Sequence, residues 1–562
     1  MKRLFLLWFA GIVALQVYSI EVLSIAEFIQ RHDQTEYVLS GQVQNITNTF
    51  YGNFTLEDQT GSLIVWGLLD TEGVSKRFAF LGIGAGDSVY VRGVYTLYED
   101  PNTHETKHEI QNARLIKHVS QWETYAGVDV IFYGSLYVTG LTEKKDSILL
   151  SPERLVQPEE SANWLWNGDS TQFKVKEAWN KFNTYSLYGD LSSDTIRSGA
   201  IVTDLRARIV GDRLLRLNAP LTLQNNTLPS TPPDLGNPSL VVCGTNIENY
   251  FYHWDKMTGA AQSAEKFTAQ TNKIANALLN INADIYAVCE IECGPTAGNH
   301  LAAKMNEVSG RDCYRFVDNY FPDSAIHSSG FIYRQDKVEL VNKPSWHPYA
   351  SLLSPYHYRM VMRAFKERSS GETFVVSVNH FKSKAGNYDS EATRQYNAQY
   401  LLAALNKVKN DQFFETDKFI ILGDFNNYTC EWSNYNIAAQ YADMLPHSNP
   451  GDDYSYVYHG QTGYLDRAFA SAALQPYITA VHPYHINTDV SLAHAYYNLD
   501  ESIYRYADHD PILVGLRFKE DSSTGVESVQ NSEFRVQKIL RNGQVYIIRG
   551  EKVYTITGEL LK

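Results

Sequence analysis

Up to about residue 223 the chain reads as short runs of alternating apolar and polar residues separated by Gly and Asp turns, the period-two pattern of half-buried strands. The runs Tyr37–Gln44, Gly52–Asp58, Ser62–Leu68, Ser88–Leu97 and His108–Ile116 predict five strands, with a short helix over Glu21–Gln30 ahead of them. Gly52 to Gly61 reads as a strand entering a tight turn, and Gly86-Asp87 opens another strand. This spacing resembles an OB-fold, a small closed barrel used for oligonucleotides or sugars, with a spacer or assembly barrel as the alternative. Further β-like runs follow, including Val128–Gly134 and Ala200–Ile209.

Residues 224–238 are rich in Asn, Pro, Thr and Ser, which marks a linker. Beyond it, strand-like runs alternate with helical patterns over Ala264–Ile281 and Glu391–Lys409, where apolar residues recur at three- and four-residue intervals. That alternation predicts a layered α/β domain. The expected division is a signal peptide at 1–19, a barrel at 20–122, a β-rich region at 123–223, a linker at 224–238 and an α/β domain at 239–519. A second linker at 520–533 and a strand-like tail at 534–562 complete it, the tail being too small to hold a core alone.

The ends of the chain bear on location. Lys2 and Arg3 precede the apolar run Leu4 to Leu15, and Val17-Tyr18-Ser19 suits cleavage after Ser19. The run is short for a membrane span, so a soluble, exported mature chain without membrane insertion is expected. Tyr and Phe, at 38 and 25 residues, favour β-rich packing. A formal charge of −14 argues against wrapping nucleic acid with a basic surface, although a bound metal can supply the positive charge at a phosphate. The 5 cysteines match no zinc spacing; Cys243 and Cys289 lie in apolar runs as expected buried thiols, and a Cys293–Cys313 bridge is one option.

Candidate chemistry sits at the ends of the apolar runs in the α/β domain, where such folds place their sites. Leu240-Val241-Val242-Cys243-Gly244-Thr245-Asn246-Ile247-Glu248 puts Asn246 and Glu248 two apart, on one face of a strand. Asp284 to Glu290 is a buried strand ending in a carboxylate, which burial obliges to be paired, protonated or metal-bound. Phe374 to Lys384 ends in Asn379-His380-Phe381-Lys382-Ser383-Lys384, and Phe419 to Asn426 ends in Gly423-Asp424-Phe425-Asn426. Tyr464-Leu465-Asp466-Arg467 and Ala507-Asp508-His509-Asp510 complete the set. Singly, each is an ordinary cap, turn or surface group; their ordered recurrence at successive strand ends is what points to catalysis.

That ordered set resembles the endonuclease/exonuclease/phosphatase superfamily, DNase I-like, over about half the chain. The resemblance implies a four-layer α/β sandwich with two packed sheets, a divalent metal (Mg²⁺, with Mn²⁺ or Ca²⁺ as options) and in-line attack of water on a phosphoester. By motif, Asn246, Glu248, Glu290 and Asp508 would stand at the metal. Asp424 and Asn426 would orient water and phosphate, Asp466 would support His509, and His380 would be a second catalytic histidine. Hard oxygen ligands suit Mg²⁺, and an Asp–His pair fixes the imidazole tautomer for proton transfer. Ala507 departs from the usual Ser, which puts one supporting hydrogen bond in doubt.

The Asn379–Lys384 run and Cys289-Glu290-Ile291-Glu292 are similar to large extracellular bacterial nucleases, in which β-rich domains precede the catalytic one. Arg359, Lys382, Lys384 and Arg394 are then candidates for phosphate contact. The tail, with Asn542-Gly543-Gln544-Val545-Tyr546-Ile547 and Tyr554-Thr555-Ile556-Thr557-Gly558, resembles a type IX secretion sorting domain, implying passage to the surface or exterior of a Gram-negative cell. The leading expectation is a secreted metal-dependent nuclease acting on DNA and, secondarily, RNA. A lipid or small-molecule phosphoesterase of sphingomyelinase-like type is the second reading, and a surface protein binding ligand through the barrel is the third. The inositol phosphatase motifs are absent from the sequence.

Overall fold

The computed structural model describes residues 22–518 apart from 49, 76–77, 102, 142–146, 161–175, 178, 182, 192–194, 257–258, 318–326, 342, 346–358, 385–389 and 446–452, together with the strands Val536–Arg541, Gln544–Arg549 and Lys552–Thr555. The expected signal segment at 1–19 and the linker at 520–533 lie outside the described residues.

Alternation in the first hundred residues closes a barrel. Strands Glu36–Asn48, Asn53–Asp58, Gly61–Trp66, Thr106–Gln111 and Ser88–Glu99 pair in that order, and the last returns to the first. Inward residues such as Leu39, Val43, Phe54, Leu56, Val65, Val89, Val91 and Ile110 fill the interior. The first helix starts later than the apolar pattern suggests, at Ile25–Arg31, because Ser24 accepts the Glu27 N–H and Glu27 answers the Ser24 N–H in a capping box. The single strand expected over His108–Ile116 is two, Thr106–Gln111 and Arg114–Val119. Asn112 breaks it with a left-handed φ of 49°.

The β-rich region repeats this architecture. Strands Asp129–Leu141, Ser147–Ser151, Tyr185–Tyr188, Leu214–Leu217 and Ile201–Gly211 pair in that order and close on the first. In both barrels the third strand along the chain runs parallel to the fifth, and every other closing pair is antiparallel. The stretch 224–238 is no loose tether: Leu235 is buried against the α/β core, and its carbonyl accepts the Thr479 hydroxyl.

The α/β half is a sandwich of two six-stranded sheets. Leu240–Tyr250 and Ile285–Glu292 are central in one sheet, Thr373–His380 and Phe419–Asp424 in the other. Val242, Ile285, Ala287, Cys289, Val376, Val378, Ile420 and Leu422 form the layer between them. Helices Ala264–Ile281 and Pro295–Ser309 pack on the outside of the first sheet, Ser390–Asn410 and Trp432–Ala438 on the second, which makes the expected four layers. Gly423 pairs with Asn379 on the neighbouring strand of the same sheet, and at its φ of 129° a Cβ would lie 2.0 Å from the Asn379 carbonyl oxygen. Only glycine fits.

Cys243 and Cys289 are buried thiols, as expected, and Cys313 is also a thiol, so the Cys293–Cys313 bridge is not made. The tail is a unit of its own, a three-stranded antiparallel sheet. No helix among the described residues is long and apolar enough to cross a membrane.

Candidate active site

Three of the four central strands end in one cleft of about 670 Å³, at Glu290, His380 and Asp424, and Asn246 of the fourth hydrogen-bonds to two of these acids. Two strand irregularities aim the first acids into it. Glu290 has φ 61° and sits where the pairing of Ile285–Glu292 slips by one residue against His327–Arg334 and by two against Leu240–Tyr250, a bulge that re-aims its side chain. Glu248 and Asn249 are likewise left-handed, at 52° and 54°, so strict alternation from Asn246 to Glu248 does not hold. The Asn246 side chain instead organises the cluster. Its Nδ2 donates to Glu290 Oε1 at 3.0 Å and Asp424 Oδ2 at 3.4 Å, while its Oδ1 accepts the Glu248 N–H at 2.9 Å. The Asn249 N–H holds the other Glu290 oxygen at 3.0 Å.

Opposite stand the two histidines. His509 Nδ1 meets Asp466 Oδ2 at 2.7 Å, which directs Nε2 toward Asp424 Oδ2 at 3.8 Å and Asp508 Oδ2 at 3.9 Å. His380 Nε2 lies 3.8 Å from Glu290 Oε1 and 3.7 Å from Asp424 Oδ2. Asn426, at φ 50°, donates its N–H to Asp424 Oδ1 at 2.8 Å and its amide to the Phe381 carbonyl. Asn246, His380, Asp424, Asn426, Asp466 and His509 are all buried. Two triads, Glu290/His380/Asp424 and Asp424/Asp466/His509, each bring three potential ligand atoms within 4.8 Å of one another.

Crowded, desolvated carboxylates resist ionisation. Burial pushes Asp424 up to about 8; His509 opposes the rise and Asp466 adds to it. Burial and Asp508 raise Glu248 to about 8, eased by Arg505, and the same two causes lift Glu290. Burial would discharge His509, but Asp466, Asp424 and Asp508 outweigh it and hold the imidazolium well above its ordinary range. The cluster is short of positive charge, which a cation among hard oxygen donors would relieve.

The predicted phosphate contacts divide. Lys384 lines the cleft with its Nζ 2.6 Å from Glu431, and buried Arg394 is held by Glu431 at 2.7 Å, Glu391 at 3.2 Å and the Ser390 hydroxyl at 2.8 Å. Lys382 turns its Nζ to the Ser383 hydroxyl. Arg359 is in register with His380 on the neighbouring strand; its side chain lies outside the described part of the structure.

Residues 246–491 match the Endonuclease/Exonuclease/phosphatase family. This matched segment holds every predicted site residue except Asp508 and His509, which lie beyond it. No curated protein matches the chain. Among solved structures, it is similar to an endonuclease/exonuclease/phosphatase from Bacteroides vulgatus at 15% identity, over 50% of this chain and 99% of that one, with a TM-score of 0.36. The human Nocturnin catalytic domain gives 17% identity, 50% and 94% coverage and a TM-score of 0.35. A Bacteroides thetaiotaomicron mannosyl-6-phosphatase gives 17%, 50% and 100%, with a TM-score of 0.33.

Several supporting residues carry no sequence motif. Asn487, fully buried, donates to the His509 carbonyl at 2.6 Å and accepts the Tyr506 N–H at 3.0 Å. The Tyr456 ring packs 4.6 Å from the His509 ring. Ser455 Oγ accepts the Asp466 N–H at 2.9 Å, putting a hydroxyl beside the acid although Ala507 has none. Gln157 and Glu159 reach the cleft from the second barrel. A long-range contact leaves no local periodicity, so reading along the chain does not find them.

Proposed function

We propose that this cleft hydrolyses phosphodiester bonds of nucleic acid, DNA in preference to RNA, with the aid of a divalent metal. The observation that carries the reading is the Asp466–His509 hydrogen bond aimed across at Asp424, beside Glu290 and Asn246. The donor set fits a hard divalent cation: Glu290 would hold it, with Asn246, Glu248 and Asp508 close by. When bound, Mg²⁺ supplies positive charge for the phosphoryl oxygens.

The side chains divide the remaining work. Asp424, held by the Asn426 N–H, orients the attacking water and accepts its proton as the new O–P bond forms. Asn426 donates toward the phosphate as charge builds there. Asp466 orients the His509 ring and stabilises its imidazolium, so that the Nε2 N–H faces the phosphate. His380, on the Glu290 side, returns a proton to the oxygen released when the P–O ester bond breaks. Lys384 and Arg394, already paired with Glu431, shape the wall beside the phosphate.

The pairing of those two cations also favours a second reading, a small phosphoester with a single phosphate. A panel of plasmid, RNA and phospholipid, run with Mg²⁺ and with EDTA, tests both. EDTA-sensitive cleavage of nucleic acid is expected; a metal-replete protein inert on every DNA and RNA would overturn the nuclease reading.

The basic and apolar start of the chain supports export, and the strand-rich tail supports a type IX sorting role. The pairing order of the first barrel, with its third and fifth strands parallel, supports the OB-type reading and a substrate-tethering role.

A further inference from the structure

The second barrel does not stop at its own core. The connection between its strands Ser147–Ser151 and Tyr185–Tyr188 carries residues 155–160 onto the segment that matches the family. Leu155 and Val156 pair in parallel with Gln461 and Thr462, and Thr462 accepts the Gln157 N–H at 2.9 Å. The Cys430 N–H donates to the Glu159 carbonyl at 2.9 Å, while the Glu160 carboxylate takes the N–H of Tyr464 at 2.7 Å and of Thr429 at 3.2 Å. The strap is thereby stitched to the loops that carry Tyr456 and Leu465 into the cleft.

Two side chains of the strap, Gln157 and Glu159, line that cleft. Gln157 is anchored to the Tyr458 carbonyl at 3.1 Å. Among the described residues no other residue donates a hydrogen bond to the Glu159 carboxylate; burial raises its pKa, and only the charge of Lys384 and its own backbone N–H oppose that rise. Its neighbours are paired: Lys384 and Arg394 are both held by Glu431, and Arg394 also by Glu391. Three carboxylates thus face two cations on this wall. A phosphate brought against it meets more carboxylates than cations, whereas a hydroxyl or amino group finds in Glu159 an oxygen to which no other residue donates.

We propose that Gln157 and Glu159 are specificity residues of the cleft, accepting the uncharged hydroxyl- or amino-bearing end of a phosphodiester and excluding a second phosphate. The inference rests on the nuclease reading and narrows it: the enzyme takes chain ends and short oligonucleotides in preference to internal positions of a continuous strand. The β-rich region is then part of the active site and not a spacer.

The test compares kcat/KM on a dinucleoside monophosphate with kcat/KM on a circular single-stranded DNA, both with Mg²⁺. Wild type is expected to favour the dinucleoside monophosphate by at least about tenfold. Glu159→Gln should shrink that ratio and Glu159→Lys should shrink it further; the isosteric Gln variant keeps the test alive where the Lys variant does not fold. Equal rates on the two substrates in wild type, or an unmoved ratio in folded Glu159→Gln, would overturn the proposal and leave the nuclease reading standing. Failure to cleave either substrate or any other nucleic acid would overturn the nuclease reading itself.

Discussion

Glu160 and Tyr464, separated by 304 residues in sequence, are joined by a 2.7 Å hydrogen bond from the Tyr464 N–H to the half-buried Glu160 carboxylate. The bond ties the second barrel to the loop immediately before Asp466. Glu160→Ala leaves two backbone donors, on Thr429 and Tyr464, without this acceptor and should lower stability by about 1–3 kcal/mol. Urea unfolding measures that loss, and kcat/KM should fall with it because Leu465 and Asp466 lose their support.

Replacement of Asp466 removes the carboxylate from His509 Nδ1. Asp466→Asn is expected to lower kcat by roughly 10²–10⁴-fold, since the amide neither fixes the same tautomer nor stabilises the imidazolium. Steady-state kinetics beside a thermal melt separates this effect from unfolding.

A divalent cation at the acidic cluster should stabilise the folded chain by mass action. Mg²⁺ at about 100 times its Kd would add about 2.7 kcal/mol, visible as a rise in Tm that EDTA reverses. Glu290→Gln should largely abolish the rise. An unchanged Mg²⁺-dependent shift in that variant would remove Glu290 from the metal site.

Asp489 is expected to contribute to stability in acid. Burial alone would raise its pKa, but Arg154, His485 and Arg197 outweigh burial and hold the carboxyl below its ordinary value of 3.8. A carboxylate with a depressed folded pKa contributes stability that is complete above its unfolded pKa and is lost as pH falls through the folded one. Wild type should therefore lose stability below about pH 4, and Asp489→Asn should flatten that loss. At neutral pH the same variant should be less stable by about 3–5 kcal/mol, because it strips the carboxylate from Arg154 and Arg197. Chemical denaturation across pH 3–8 reads both effects.

Gly423→Ala places a methyl group against the Asn379 carbonyl of the adjacent strand in the same sheet. It should cost about 1–3 kcal/mol or more and displace Asp424, so Tm and activity should fall together.

Reading along the chain recovers what local chemistry encodes. Apolar alternation and three-to-four spacing located the strands and the helix Ala264–Ile281, and polar residues ending apolar runs marked Asn246, Glu290, His380, Asp424 and His509. Those features are legible because burial of one face imposes a period on nearby residues. The tertiary structure alone decided the rest. It closed the second β-rich stretch into a barrel with the pairing order of the first, since strand partnership depends on residues far apart. It turned Glu290 inward through a bulge, a one-residue slip that no periodicity encodes. It engaged Lys384 and Arg394 with Glu431 and carried Gln157 and Glu159 into the cleft from outside the α/β domain. Contacts across such separations arise only when distant surfaces meet, so their physical cause is packing and not local pattern.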